Sequence, residues 1–176
     1  MKKIILLTFL LQYGFGISQT EFPFYEQIAL DFYRSKLVDS FPTKKKIKVY
    51  PYLHDFQANY FVFINPSCLG INWKNNAQFE PLKEYVESQI RIDSERFELD
   101  FSNLDKKKFK VKKRGEGNYP RLHITAPHKE IRGSERIFVN IYETHQYLYV
   151  TYHLEFDRYG QILDWCRTYD EVVLIR

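Results

Sequence analysis

Apolar residues recur along this chain with two different periods, and the change between them divides the sequence into a helical part and a strand part. In EFPFYEQIALDFYRSKLVDSF, residues 21–41, Tyr25, Ile28, Ala29 and Phe32 fall at i, i+3, i+4 and i+7, while Glu26, Asp31, Arg34 and Lys36 lie largely elsewhere. That spacing predicts an amphipathic helix, with Pro23 tolerated in its first turn and Pro42 ending it. AQFEPLKEYVESQIRI, residues 77–92, predicts a second helix: Phe79, Leu82, Val86 and Ile90 share a side, Asn76 is the N-cap and Pro81 belongs to the first turn. Between the two, KKKIKVYPYL and NYFVFINP read as strands, the first at a sheet edge because Pro51 cannot donate to a ladder.

From residue 97 onward the period becomes two. KKKFKVKKR places Lys108, Lys110 and Lys112 on one face and Phe109 and Val111 on the other, the pattern of an edge strand guarded by lysines. After the turn cluster Gly115 to Asn118, the segments RLHITAPH, RIFVNIYET, YLYVTYHLEF and QILDWCRTYDEVVLIR read as successive strands. Helices first and strands last predict an α+β fold, two amphipathic helices packed on a mainly antiparallel sheet that ends in a meander. In element order this is similar to cystatin-like and nuclear-transport-factor-2-like arrangements. No diagnostic residue accompanies that likeness, so it implies neither an activity nor a site.

The meander carries the most informative residues. With His145-Gln146 as a two-residue turn, Ile141 faces Val150, Val139 faces Tyr152 and Ile137 faces Leu154, and this apolar face is assigned to the core. The opposite face holds Phe138, Asn140, Tyr142, Tyr149, Thr151, His153 and Glu155, too aromatic for solvated surface and too polar for plain core. Asn140, Tyr142, Tyr149, Thr151, His153 and Glu155 are therefore the candidate ligand-facing residues, since aromatic walls with a few polar groups are what small-molecule sites require. A half-buried sheet face covered by the N-terminal helix explains the same residues without a ligand. The register of the last strand stays open. A three-residue loop ending at Gly160 sets Trp165 beside His153 and Cys166 on the core face, whereas a two-residue loop reverses both and keeps Asp164 off the apolar face.

The chain start changes the setting. Lys2 and Lys3 precede the apolar run Ile4 to Leu11, and Gly16 and Ser18 are small residues before Gln19. That is the layout of a secretory signal peptide over residues 1–18, and it resembles bacterial export signals in which Gln follows the cut. The run is broken by Gln12, Gly14 and Gly16, short of the ~20 apolar residues a membrane span needs. Residues 19–176 are then expected to form one exported α+β domain, periplasmic or secreted and not membrane-spanning. The formal charge of +4 falls to +2 when Lys2 and Lys3 leave with the signal, too little for a nucleic-acid partner. Cys68 and Cys166 are the two cysteines; an even count in an oxidising compartment favours a bridge over two buried thiols.

Motifs for catalysis are missing. The five histidines, His54, His123, His128, His145 and His153, form no HxH or HExxH pair, and there is no CxxC, so no metal site is expected. No GxSxG, P-loop or dinucleotide-binding glycine pattern occurs, and no cofactor is expected. The resulting expectation is a non-enzymatic domain of the bacterial envelope that binds a small ligand or an envelope or extracellular protein. The alternatives are a small hydrolase using the face around His153 and Glu155, and a purely structural or interaction protein without a pocket.

Overall fold

A computed structural model describes residues 22–49, 66–70, 79–82, 85, 99–112, 120–130, 135–146 and 148–171. The expected signal peptide, the Pro51 region, His54 and the Gly115 to Asn118 turn lie outside them, as does most of NYFVFINP.

One helix, α1, runs from Tyr25 to Ser40 as an α-helical segment Tyr25–Phe32, a π-helical turn Tyr33–Leu37 and an α-helical turn Val38–Ser40. Its buried stripe is Tyr25, Ala29, Tyr33 and Leu37, with Leu30 and Val38 beside it, while Ile28 and Phe32 are only half buried. Residues four apart drift around a straight α-helix of 3.6 residues per turn. The wider π turn counters that drift, so Tyr33 and Leu37 stay on the sheet. Within the same region Ser35 turns its hydroxyl back onto the Asp31 carbonyl at 2.7 Å, a contact that bends helices.

The strands are β1 Ile47–Val49, β2 Phe79–Pro81, β3 Phe109–Val111, β4 Arg121–Ile124, β5 His128–Glu130, β6 Ile137–Thr144, β7 Leu148–Phe156 and β8 Ile162–Glu171, joined in one sheet. β6, β7 and β8 form the expected antiparallel meander. The other edge of β6 is shared, with β4 along Ile141–Thr144 and β5 along Ile137 and Phe138. β5 leads outward to β2, antiparallel, and β4 leads to β1 and then β3, both parallel. β1 is thus internal, not the edge strand expected from Pro51, and among the described residues the lysine-rich β3 is a sheet edge.

The described residues do not support the second helix expected over residues 77–92. Phe79–Pro81 pair with Glu130–His128, so Pro81 ends an edge strand and occupies no first helical turn; the Leu82 N–H continues the pairing to the Pro127 carbonyl at 2.9 Å. Proline disfavours the α conformation at the residue before it, Glu80, and an edge strand tolerates the missing N–H. Among the described residues α1 is the only helix longer than a single turn, and none is long and apolar enough to cross a membrane.

Period two assigned the meander faces correctly and the register by two residues too few. Ile141 faces Tyr152, Val139 faces Leu154 and Ile137 faces Phe156, because the His145 N–H bonds the Leu148 carbonyl. A slip of two leaves every side chain on its own face. The last strand resolves its two registers by using both. The three-residue loop closes from the Asp157 N–H to the Gln161 carbonyl with Gly160 at φ +84°, and Phe156 faces Ile162. A bulge then inserts Leu163, after which Glu155 faces Asp164, Leu154 faces Trp165 and His153 faces Cys166.

The core lies between α1 and the meander's apolar face. Tyr25 meets Phe156 edge-on at 5.5 Å, and Tyr33 meets Tyr152 at 5.3 Å. Each such pair adds about 0.5–1.5 kcal/mol beyond area burial. Cys68 and Cys166 form a disulfide that ties the 3-10 turn Pro66–Leu69 to the opposite face, where Leu69 packs on Phe138.

Candidate functional site

The register places all six candidate residues on that opposite face: Asn140 beside His153, Tyr142 beside Thr151, with Tyr149 and Glu155 at either end. Asn140, Tyr142, Thr151 and His153 are buried, and Tyr149 and Glu155 are half buried. Asn140 links two histidines. Its Oδ1 lies 3.0 Å from His153 Nδ1 and its Nδ2 lies 3.4 Å from His128 Nε2, while His128 Nδ1 is 3.2 Å from the Ala126 carbonyl. His153 Nε2 lies 3.0 Å from the Thr168 hydroxyl.

One proton arrangement satisfies the whole chain of contacts. His128 Nδ1–H donates to Ala126, Asn140 donates to His128, His153 Nδ1–H donates to Asn140, and Thr168 donates to His153. Both histidines must be neutral for this, and burial pushes each down to about 4, with His128 lowering His153 further. Glu155 is held by the Arg136 fork, Nε to Oε1 at 2.7 Å and Nη2 to Oε2 at 2.5 Å; Arg136 also reaches the Leu69 carbonyl at 2.9 Å. The histidine and the carboxylate of the hydrolase alternative are therefore each engaged by separate partners. Among the described residues the buried Thr151 hydroxyl makes no hydrogen bond.

A second polar group, on the core face, opens to the surface. Glu143 follows Ile137, Val139 and Ile141 in the alternation of β6 and is 2% exposed. Its Oε2 accepts from the Tyr33 hydroxyl at 2.9 Å and the Tyr152 hydroxyl at 3.3 Å, and Oε1 lies 2.9 Å from His145 Nε2. Burial, and after it the Glu143 charge, pushes both phenols well above the usual tyrosine range, so they remain donors. The π turn supplies Tyr33 to this contact, in keeping with the frequent occurrence of π turns at functional positions.

Glu143 lies at a cleft of about 1100 Å³ between the end of α1 and the β6–β7 turn, walled by Phe41, Pro120, Leu148 and Val150 with Lys44 and Lys45 at its rim. Arg167 enters the same cleft from β8. Its guanidinium is stacked 4.0 Å from the Phe41 ring centre and 4.3 Å from that of Tyr169, and one Nη bonds the Tyr169 hydroxyl. Its buried Nε–H makes no hydrogen bond among the described residues. A carboxylate has about four acceptor positions, and three donors hold Glu143. The cleft thus combines a fixed guanidinium, a buried carboxylate and apolar walls.

Among the described residues no three His, Cys, Asp or Glu side chains converge to hold a metal ion. Tyr33, Glu143, His145 and Arg167 lay outside the candidate set read from sequence. The signal for Glu143 was present: period two sets it on the apolar face, where a lone carboxylate needs partners. Tyr33 and Arg167 reach it from elements distant in sequence, which no spacing reveals. No protein family matches the chain, and neither a curated protein nor a solved structure matches it.

Proposed function

We propose that this is an exported binding domain of the cell envelope that holds a small ligand, an apolar body carrying a carboxylate, in the cleft at Glu143 and Arg167. One observation carries the reading: Arg167 is held between the Phe41 and Tyr169 rings at the cleft that Glu143 also lines. An arginine fork held in place suits a planar carboxylate, because little side-chain freedom is lost on binding. Phe41, Leu148 and Val150 accommodate the apolar body, and Glu143 accepts from a hydroxyl or amine of the ligand. Export is supported by the Lys2 to Ser18 layout and by a disulfide of the kind that persists in oxidising compartments.

A thermal-shift screen of aromatic and branched aliphatic carboxylates, each beside its neutral amide, tests the reading. A ligand at about one hundred times its Kd stabilises by about 2.7 kcal/mol, or roughly 5–10 °C in a domain of this size. Carboxylates that raise the melting temperature where their amides do not support it. Equal shifts for acid and amide, or none from either set, contradict it.

A further inference from the structure

Two edges of the sheet are blunted and a third is not. Among the described residues β2 and β3 are edges of three residues each; Pro81 ends the first, and Lys110 lies within the second. Short edges, proline and lysine all discourage pairing with another chain. β8 is ten residues long, the longest strand among the described residues, and within them it pairs with β7 alone. Its bulge at Leu163 falls at the start and leaves residues 164–171 in regular register.

The side chains that β8 turns to the α1 side point to the occupant of this edge. Leu163 lines a hollow with Phe22, Pro23 and Phe156 at the start of α1, Trp165 meets Phe32 edge-on at 6.0 Å, and Tyr169 stacks on Arg167. Leu163 and Tyr169 are nevertheless 56% and 58% exposed, and Trp165 is 37% exposed. Apolar side chains gathered on one exposed edge mark an interaction surface. The order Leu163, Trp165, Arg167, Tyr169 is self-complementary. In an antiparallel pairing with a second copy, centred on Cys166, Leu163 lies opposite the second copy's Tyr169. Trp165 then lies opposite the second copy's Arg167, and symmetry makes each pair twice. Apolar–aromatic and cation–ring pairs are both favourable across strands. Centring on Arg167 sets two guanidinium groups against each other, and centring on Trp165 sets Leu163 against Arg167. Turning the second copy over brings its other face, Cys166 or Thr168, against Trp165.

We propose that β8 joins β8 of a second copy, antiparallel about Cys166, in one continuous sheet with both α1 helices on the same side. Sedimentation equilibrium of the full chain, with no ligand present, tests this. Wild type is expected to dimerise. Leu163→Lys and Tyr169→Glu change exposed side chains, and each alone alters both Leu163–Tyr169 pairs of the dimer. Each is expected to raise the dimer Kd about tenfold. An equimolar mixture keeps one native pair and sets opposite charges against each other at the second, so it is expected to associate more tightly than either variant alone. Tyr159→Glu, an exposed ring on the loop before β8, is the control and is expected to match wild type. All four proteins share the same N-terminal segment, so only their differences are read. A wild type that stays monomeric at every concentration overturns the proposal. So does a mixture no tighter than its components, or equal weakening by Tyr159→Glu.

Discussion

Tyr33 donates a 2.9 Å hydrogen bond to Oε2 of Glu143, joining the π turn of α1 to the far end of β6. The bond couples the helix to the floor of the cleft, because the carboxylate is buried and depends on its donors. Tyr33→Phe keeps the ring contacts with Tyr152 and Phe109 and removes only the donor. A hydrogen bond to a charged group contributes about 1.5–3 kcal/mol. Denaturant unfolding of the variant is expected to show a loss of that size, and an unchanged midpoint would mean that the bond is not made.

The buried imidazoles give stability a pH slope. His128 and His153 fall from 6.5 to about 4 on folding, so the unfolded chain binds more protons and stability is lost as pH falls from 6.5 toward 4. Each group contributes about 3 kcal/mol over that window. Glu26 acts with the opposite sign. Burial raises it from 4.5 to about 7 despite a 2.5 Å bond from the Tyr85 hydroxyl, so its contribution is present below 4.5 and is lost as pH rises toward 7. Melting curves across this range should flatten for His153→Gln and steepen for Glu26→Gln. Parallel curves for all three proteins contradict both assignments.

Gly160 is needed for two separate reasons. Its φ of +84° is strained for any residue with a Cβ, and an added Cβ would lie 2.8 Å from Ile28 Cδ1 and Pro23 Cβ at the start of α1. The loop is also pinned by Asp157, whose Oδ1 accepts from the N–H groups of Tyr159 and Gln161 at 2.9 and 2.8 Å. Gly160→Ala is expected to cost about 2 kcal/mol or more, the left-handed penalty plus the clash. A thermal melt within one degree of wild type would show that the loop does not sit against the helix.

Much of this arrangement was legible in the chain, and the misses have physical causes. Alternation through Ile137, Val139 and Ile141 on one strand, and Val150, Tyr152 and Leu154 on the next, identified the core face because side-chain direction depends only on parity. Register depends on the turn, and the sequence ETHQYLY holds no glycine or asparagine of the kind that marks tight hairpins. The last strand defeated a single-register reading because Leu163 is an inserted residue. Phe79–Pro81 matched a helical period over too few residues to outweigh pairing with β5. The parallel pairing of β1 with β3 and β4 joins segments far apart in sequence and leaves no local trace.

The disulfide closes a long loop, with Cys68 and Cys166 separated by 98 residues. In the chain-entropy treatment a loop of that length stabilises by roughly 4–5 kcal/mol. Alkylation of the denatured, unreduced protein should find no free thiol. The Cys68→Ser, Cys166→Ser double variant should lose about that much stability, and the Leu69 contact with Phe138 should loosen with it. Two alkylated cysteines in protein recovered from an oxidising compartment refute the bridge.

The binding reading rests on Arg167 more than on any other side chain. Isothermal titration of the strongest carboxylate from the screen into wild type and Arg167→Lys tests it directly, since lysine keeps the charge and loses the planar fork. We predict at least a tenfold weaker Kd for Arg167→Lys, with the amide analogue binding both proteins equally. Identical affinities of the carboxylate for the two proteins would contradict the cleft as the site.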